Sequence, residues 1–191
     1  MSDYEIIDNF LPKEKFKNLK NVMENNDFPW YFVPDVAFVG KEIYDGNNLK
    51  SYFQSEEELI SAERTQEEID WSFYSIHTIY ANNIIFSNQL VWNSLQSVLG
   101  VLQPNALIRA KANAYTRTPN LIYHQPHRDF QFEHKACIFS INDCDGFTIL
   151  EDGTKVESVA NRALIFDGST PHHSTSCTNS ARRLNINLNY F

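Results

Sequence analysis

The chain has 191 residues, 42% of them hydrophobic and 14% aromatic, which is enough for one ordinary core and unlike the polar, aromatic-poor make-up of a disordered segment. Its formal net charge of −8 disfavours a nucleic-acid binder that relies on displacing counterions. Three cysteines, Cys137, Cys144 and Cys177, are odd in number and widely spaced, so they read as thiols of a reducing compartment and form neither a disulfide framework nor a C-x-x-C metal site. No leader-like segment opens the sequence and no apolar run approaches the roughly 20 residues of a membrane span, so the expectation is a cytoplasmic protein with no membrane partner.

In chain order, Tyr4-Glu5-Ile6-Ile7-Asp8-Asn9-Phe10 reads as a short strand. Leu11-Pro12 then opens a helix in which Phe16, Leu19, Val22 and Met23 recur at helical spacing, until Asn25-Asn26-Asp27 ends it. Residues 28–53 are aromatic and rich in Asn and Gly, and the run Glu56-Glu57-Glu58 reads as a solvated face. The aromatic, acidic stretch between Trp30 and Trp71 is expected to shape a pocket entrance. A second helix is predicted over 88–99, with Ser87 as N-cap, Val91, Leu95, Val98 and Leu99 on one stripe, and Gly100 as the stop.

From residue 107 the pattern changes to alternation. Stretches 107–115, 135–142, 147–150, 154–159, 163–166 and 184–190 are short and β-rich, separated by turn signals such as Asp145-Gly146 and Asp152-Gly153. Antiparallel strands in this number behind a helical segment predict an α+β, mainly β chain: a double-stranded β-helix, or jelly roll, with N-terminal supporting helices. No linker, repeat or low-complexity tract divides it, so a single domain over 1–191 is expected, with a helical, variable part at 1–105 and the jelly-roll core at 106–191.

His127-Arg128-Asp129 sets two metal-ligand types two residues apart, and on an extended strand that spacing turns both to one face. Pro171-His172-His173 offers a third ligand about 43 residues downstream. Two His and one Asp make a triad that leaves coordination positions open, which favours a catalytic non-haem Fe(II) site over a closed structural zinc site. A His-x-Asp alone is a weak motif. Arg183 strengthens it, because it opens Arg183-Leu184-Asn185-Ile186-Asn187-Leu188-Asn189-Tyr190, a strand with Arg, Asn, Asn, Asn on one face. Such a face fits a pocket for an anion, which a guanidinium grips in bidentate fashion.

The pattern His127-Arg128-Asp129, then Asn161-Arg162-Ala163-Leu164-Ile165-Phe166-Asp167-Gly168 through His172, then Arg183-Leu184-Asn185, resembles the 2-oxoglutarate/Fe(II)-dependent dioxygenase superfamily in its prolyl-hydroxylase-like branch, and its small viral and bacterial members above all. Ile6-Ile7-Asp8-Asn9-Phe10-Leu11 before a helix, and Phe28-Pro29-Trp30-Tyr31 after it, are similar to the start of these proteins, so the likeness covers most of the chain. It implies a cupin-like jelly roll that uses Fe(II), 2-oxoglutarate as co-substrate and O2. By its phasing the third ligand lies six residues past Phe166, which gives His127, Asp129 and His172 as metal ligands and leaves His173 outside the first set. Arg183 becomes the co-substrate anchor and shares its strand face with Asn185 as the family's Arg-x-Asn pairing requires, while Arg182 becomes a surface charge. The resemblance also places Tyr115 where related enzymes donate to the distal co-substrate carboxylate, with Asn113 on the same face and Thr148 in a Gly-x-Thr stretch lining the pocket. A core tyrosine and a β-branched strand residue are the plainer readings of Tyr115 and Thr148. His124 reads as a loop or substrate-side residue, and His77 and His134 as structural or exposed.

The implied activity is hydroxylation of an unactivated C–H bond with release of succinate and CO2. The primary substrate is left open between a peptide or protein, peptidyl proline first, and a small molecule; a nucleobase is disfavoured by the acidic charge. Two rival readings remain: a cupin-like metal enzyme that does not use 2-oxoglutarate, and a non-catalytic binding module on the same fold. Arg183 discriminates against the first, and the intact triad against the second.

Overall fold

The computed structural model describes residues 4–36 and 66–191. Among them run β1 (Tyr4–Ile7), α1 (Lys13–Glu24), β2 (Tyr31–Val33), α2 (Gln66–Asp70), β3 (Tyr74–Ala81), β4 (Ile84–Ile85), α3 (Gln89–Leu102), β5 (Leu107–Thr116), β6 (Lys135–Ser140), β7 (Phe147–Leu150), β8 (Lys155–Glu157), β9 (Arg162–Asp167), β10 (His172–Ser174) and β11 (Arg182–Tyr190). Most of the aromatic 28–53 stretch, and Glu56-Glu57-Glu58, lie outside the described residues.

Every strand pair is antiparallel. They sort into a large sheet in the order β1-β9-β6-β11-β5-β3-β2, with β4 on β3, and a small sheet in the order β10-β7-β8. This is the expected mainly-β jelly roll. Ala136, Ile138, Leu150, Val156, Leu164 and Phe166 form an apolar cluster drawn from both sheets. The turn from β7 to β8 is made by Gly153 at φ 84°, a conformation that favours glycine.

The opposite face of the large sheet carries the main core. Leu19 and Met23 of α1 and Val91, Leu95 and Val98 of α3 join Leu184, Ile186 and Leu188 of β11, Ala110, Ala112 and Ala114 of β5 and Phe139 of β6 in one cluster. Each large apolar side chain buried there is worth about 1.5–3 kcal/mol. Helical spacing on α1 and α3 puts those residues on one side, as their periodicity predicts.

Both ends of α3 differ from the sequence expectation. Asn88, not Ser87, is the N-cap: its side chain accepts from the Val91 N–H at 3.0 Å, and the Ser87 hydroxyl is buried without a partner. Gly100 lies inside the helix, which runs on to Leu102 and stops at Gln103, in a left-handed conformation with its N–H on the Leu99 carbonyl at 2.8 Å. Pro104 follows, and a proline has no N–H with which to continue the ladder. Strand β3 is absent from the alternation pattern because a register shift between Thr78 and Tyr80 interrupts its two-residue period. Among the described residues no helix is long and apolar enough to cross a membrane.

Candidate metal centre and anion pocket

His127, Asp129 and His172 come together, with one ligand atom of each lying within 4.8 Å of the others. The segment holding His127 and Asp129 is not a regular strand, contrary to expectation. A single antiparallel bridge joins His127 to His172, each N–H donating to the other's carbonyl at 2.9 Å, and the Asp129 N–H donates to the Gly168 carbonyl at 3.2 Å. Backbone pairing across the two segments therefore sets the side chains on one centre, a task that strand periodicity does not perform here.

The imidazoles are held in the form a metal needs. His127 Nδ1 lies 3.3 Å from the Gln125 carbonyl and His172 Nδ1 3.1 Å from the Thr170 carbonyl. A carbonyl only accepts, so each Nδ1 carries the hydrogen and each Nε2 keeps its lone pair for the centre. Burial, with His172 beside it, pushes the His127 pKa down to about 3, and burial likewise lowers that of His172; both rings are neutral donors. His173 is turned away, its Nδ1 on the His124 carbonyl at 3.0 Å. The donor set of two neutral imidazoles and one carboxylate fits a divalent iron with open positions.

Asp129 is the anion of the cluster. Burial by itself would raise its pKa, but the Arg109 charge, the two histidines and a hydrogen bond from Asn189 outweigh burial and hold the carboxyl well below the usual range. Arg109 donates to Oδ1 at 2.5 Å, Asn187 to Oδ2 at 3.0 Å and Asn189 to Oδ2 at 2.8 Å. Asn189 Nδ2 also reaches His134 Nε2 at 3.1 Å, which makes His134 a buried brace of this network.

Arg183 is 1% exposed. Its guanidinium donates to Ser158 Oγ at 2.6 Å, the Thr175 carbonyl at 3.1 Å and Thr148 Oγ1 at 2.9 Å, all neutral acceptors. Among the described residues no carboxylate pairs with it, so a buried cation awaits an anion. The Tyr115 ring lies 5.4 Å from its central carbon and stacks between Tyr74 at 5.4 Å and His124 at 5.1 Å. Burial raises the Tyr115 pKa, leaving a hydroxyl that can donate. His124, expected in a loop or on the substrate side, is buried, with Nδ1 2.8 Å from Ser174 Oγ. His77 is buried on the helix side of the sheet against Phe28. Asn113 donates to Asn185 Oδ1 at 2.8 Å, while Asn113 Oδ1 and Asn187 Oδ1 are buried without a partner. Arg182 lies over the Trp30 ring, 5.7 Å from its centroid.

The fold is the one seen in non-haem 2-oxoglutarate oxygenases of the prolyl-hydroxylase-like kind. A prolyl-4-hydroxylase from Pseudomonas putida superposes with a TM-score of 0.57 at 11% identity, covering 100% of this chain and 92% of that one. A prolyl hydroxylase from Trichoplax adhaerens, solved with a hypoxia-inducible-factor peptide, gives 0.59 at 14% identity over 100% and 84%. The non-haem α-ketoglutarate-dependent epimerase SnoN of nogalamycin biosynthesis gives 0.58 at 11% identity over 100% and 78%. No family model matches the chain, and no curated protein matches it.

Arg109 and Lys111 on β5 and Ser158 have no role in the sequence reading, and Gly146 has only its place at the head of the Gly-x-Thr stretch. The signal for the first two is present, since Arg109-Ala110-Lys111-Ala112-Asn113-Ala114-Tyr115 alternates polar and small residues as β11 does. Ser158 has no such signal. Gly146 reads as a turn residue, yet a Cβ there would meet the Ser176 carbonyl oxygen and come within 2.8 Å of Arg183 Cδ. It is the space that lets Arg183 lie flat.

Proposed function

We propose that the chain is a non-haem Fe(II)- and 2-oxoglutarate-dependent dioxygenase, acting as one domain. The observation that supports this best is the conjunction of a ligand-ready His127, Asp129, His172 cluster with Arg183, a buried cation on the same sheet face with no carboxylate partner among the described residues. His127 and His172 offer Nε2 lone pairs and Asp129 a carboxylate to Fe(II). Bound there with 2-oxoglutarate and O2, the iron would supply the oxidant for hydroxylating an unactivated C–H bond, with succinate and CO2 released. Arg183 grips the distal carboxylate of the co-substrate, Thr148 fixes the guanidinium, and Tyr115 donates a further hydrogen bond. Asn113 and Asn185 line the same wall. Burial of this wall keeps water from the centre.

Prolyl hydroxylation of a peptide is supported by the two prolyl hydroxylases of the same fold; SnoN, an epimerase on that fold, keeps small-molecule substrates in view. Cytoplasmic placement, with free thiols at Cys137, Cys144 and Cys177, belongs to the same proposal. The test is an anaerobic titration of the metal-free protein with Fe(II) and 2-oxoglutarate, following the visible metal-to-ketoacid charge-transfer band. A band in the wild type that is lost in Asp129→Ala and needs far more 2-oxoglutarate in Arg183→Ala supports the assignment. Iron binding without a band points to a metal enzyme that does not use 2-oxoglutarate, and no iron binding points to a binding module.

A further inference from the structure

The pocket holds one more cation than the proposed chemistry uses. Lys111 lies on β5 between Arg109 and Asn113, and strand alternation gives all three the same face. Its cross-strand partners are Asn187 of β11 and Thr78 of β3, and its Nζ lies 5.8 Å from the centroid of Tyr74, the ring stacked on Tyr115. Arg109 is matched by Asp129 and Arg183 is reserved for the distal carboxylate of 2-oxoglutarate. Lys111 has neither an ion pair nor a hydrogen bond among the described residues. It is only partly buried, so a ligand can reach it.

The charge balance points the same way. With a divalent metal at the triad, one carboxylate faces two metal charges and three side-chain cations. A dianionic keto acid bound beside it would remove part of this excess and leave the pocket positive. A carboxylate on the substrate is therefore accommodated at Lys111, and a peptide segment without one would leave Lys111 desolvated and unpaired.

A second, independent group lies directly across the strand. Asn187 has its Nδ2 committed to Asp129, which fixes its orientation, and its Oδ1 is a buried acceptor without a partner. Directly opposed strand residues have Cβ atoms roughly 5 Å apart. Side chains rooted that close on one face can meet a single small ligand, one that carries a carboxylate for the cation and an N–H donor for the unfilled acceptor.

We propose that Lys111 and Asn187 form a recognition site for a free α-amino acid, with Lys111 taking its carboxylate and Asn187 Oδ1 its ammonium, so that the primary substrate is an amino acid and not a peptide segment. This rests on the dioxygenase reading above and specifies its substrate class. The carboxylate at Lys111 has a second conceivable source, C1 of 2-oxoglutarate, and the experiment separates the two.

The wild type loaded anaerobically with Fe(II) and 2-oxoglutarate is titrated with each of the twenty common L-amino acids and with the corresponding C-terminal amides, reading displacement of the charge-transfer band. At least one amino acid is expected to shift the band, with its amide weaker by roughly 10- to 100-fold, the loss expected for a charge-assisted hydrogen bond. Lys111→Met should lose the same factor for the amino acid while its 2-oxoglutarate Kd stays within about twofold, and Lys111→Arg should recover most of the affinity. The inference is overturned if no amino acid shifts the band, if amide and acid bind alike, or if Lys111→Met weakens 2-oxoglutarate and leaves the amino acid unaffected. A proline peptide with blocked termini that shifts the band where no free amino acid does also overturns it. Absence of the band in wild type defeats the dioxygenase reading and this inference with it; a band with any of the preceding results defeats this inference alone.

Discussion

The two faces of β11 are buried to the same degree and built from opposite chemistry. Leu184, Ile186 and Leu188 pack on α1 and α3, while Arg183, Asn185, Asn187 and Asn189, all 5% exposed or less, lie on the face of the candidate metal centre. Strand β5 repeats the contrast with Ala110, Ala112 and Ala114 against Arg109, Lys111, Asn113 and Tyr115. On the helix side burial is favourable in itself. On the other it is costly, and is offset in large part by ties between the polar groups: Arg109 and two asparagines to Asp129, Arg183 to Ser158, Thr148 and Thr175. One face holds the sheet together and the other spends that stability on a site, so damage to each should read out differently.

The largest separation is expected from Ile186→Ala. Ile186 is fully buried, so urea unfolding should show a loss of about 2–5 kcal/mol, while the 2-oxoglutarate Kd measured on the remaining folded protein stays within about twofold. An equal loss of affinity would mean that the faces are not independent. Gly146→Ala probes the other side. The added methyl meets the Ser176 carbonyl and Arg183, so the 2-oxoglutarate Kd should rise by about tenfold, or roughly 1.4 kcal/mol, and normal affinity would show that Arg183 does not need the position described. The last effect is that of acid on the metal-free protein. His127 has a folded pKa of about 3 against an ordinary 6.5, so the unfolded chain binds the proton more readily. The stabilisation is complete above about pH 6.5 and falls as pH drops toward 3, by at most about 1.4 kcal/mol per pH unit. His127→Phe should flatten that slope in denaturant midpoints taken between pH 7 and pH 4.5; an unchanged slope would show that another group sets it.

How much of this is legible in the sequence varies with the range of the interaction. The polar face of β11 is written in its own alternation, and the phasing past Phe166 selects the histidine that the structure turns inward. Asn88 and Ser87 are adjacent residues of equal capping aptitude, and only the path of the chain into α3 separates them. The bulge in β3 erases the period by which strands are recognised. Arg109 and Lys111 show the same alternation as β11, but what they face depends on the register with Asn189 and Asn187, which no local pattern encodes. Gly146 is the clearest limit: the family likeness sets it at the head of a pocket-lining stretch, but the side chain it makes room for comes from a distant strand, which no local pattern encodes.

The rung between His127 and His172 closes a stretch of about 45 residues that contains β6, β7, β8 and β9. Two reciprocal backbone bonds are all that this rung contributes to holding the ends of the stretch together, whereas a metal bound by both histidines would act as a clasp across the same gap. Opening the small sheet would then require the clasp to be released, so occupancy of the centre and integrity of that half of the roll become a single event. In this architecture a bound ion would be as much a fastener of the scaffold as a reagent within it.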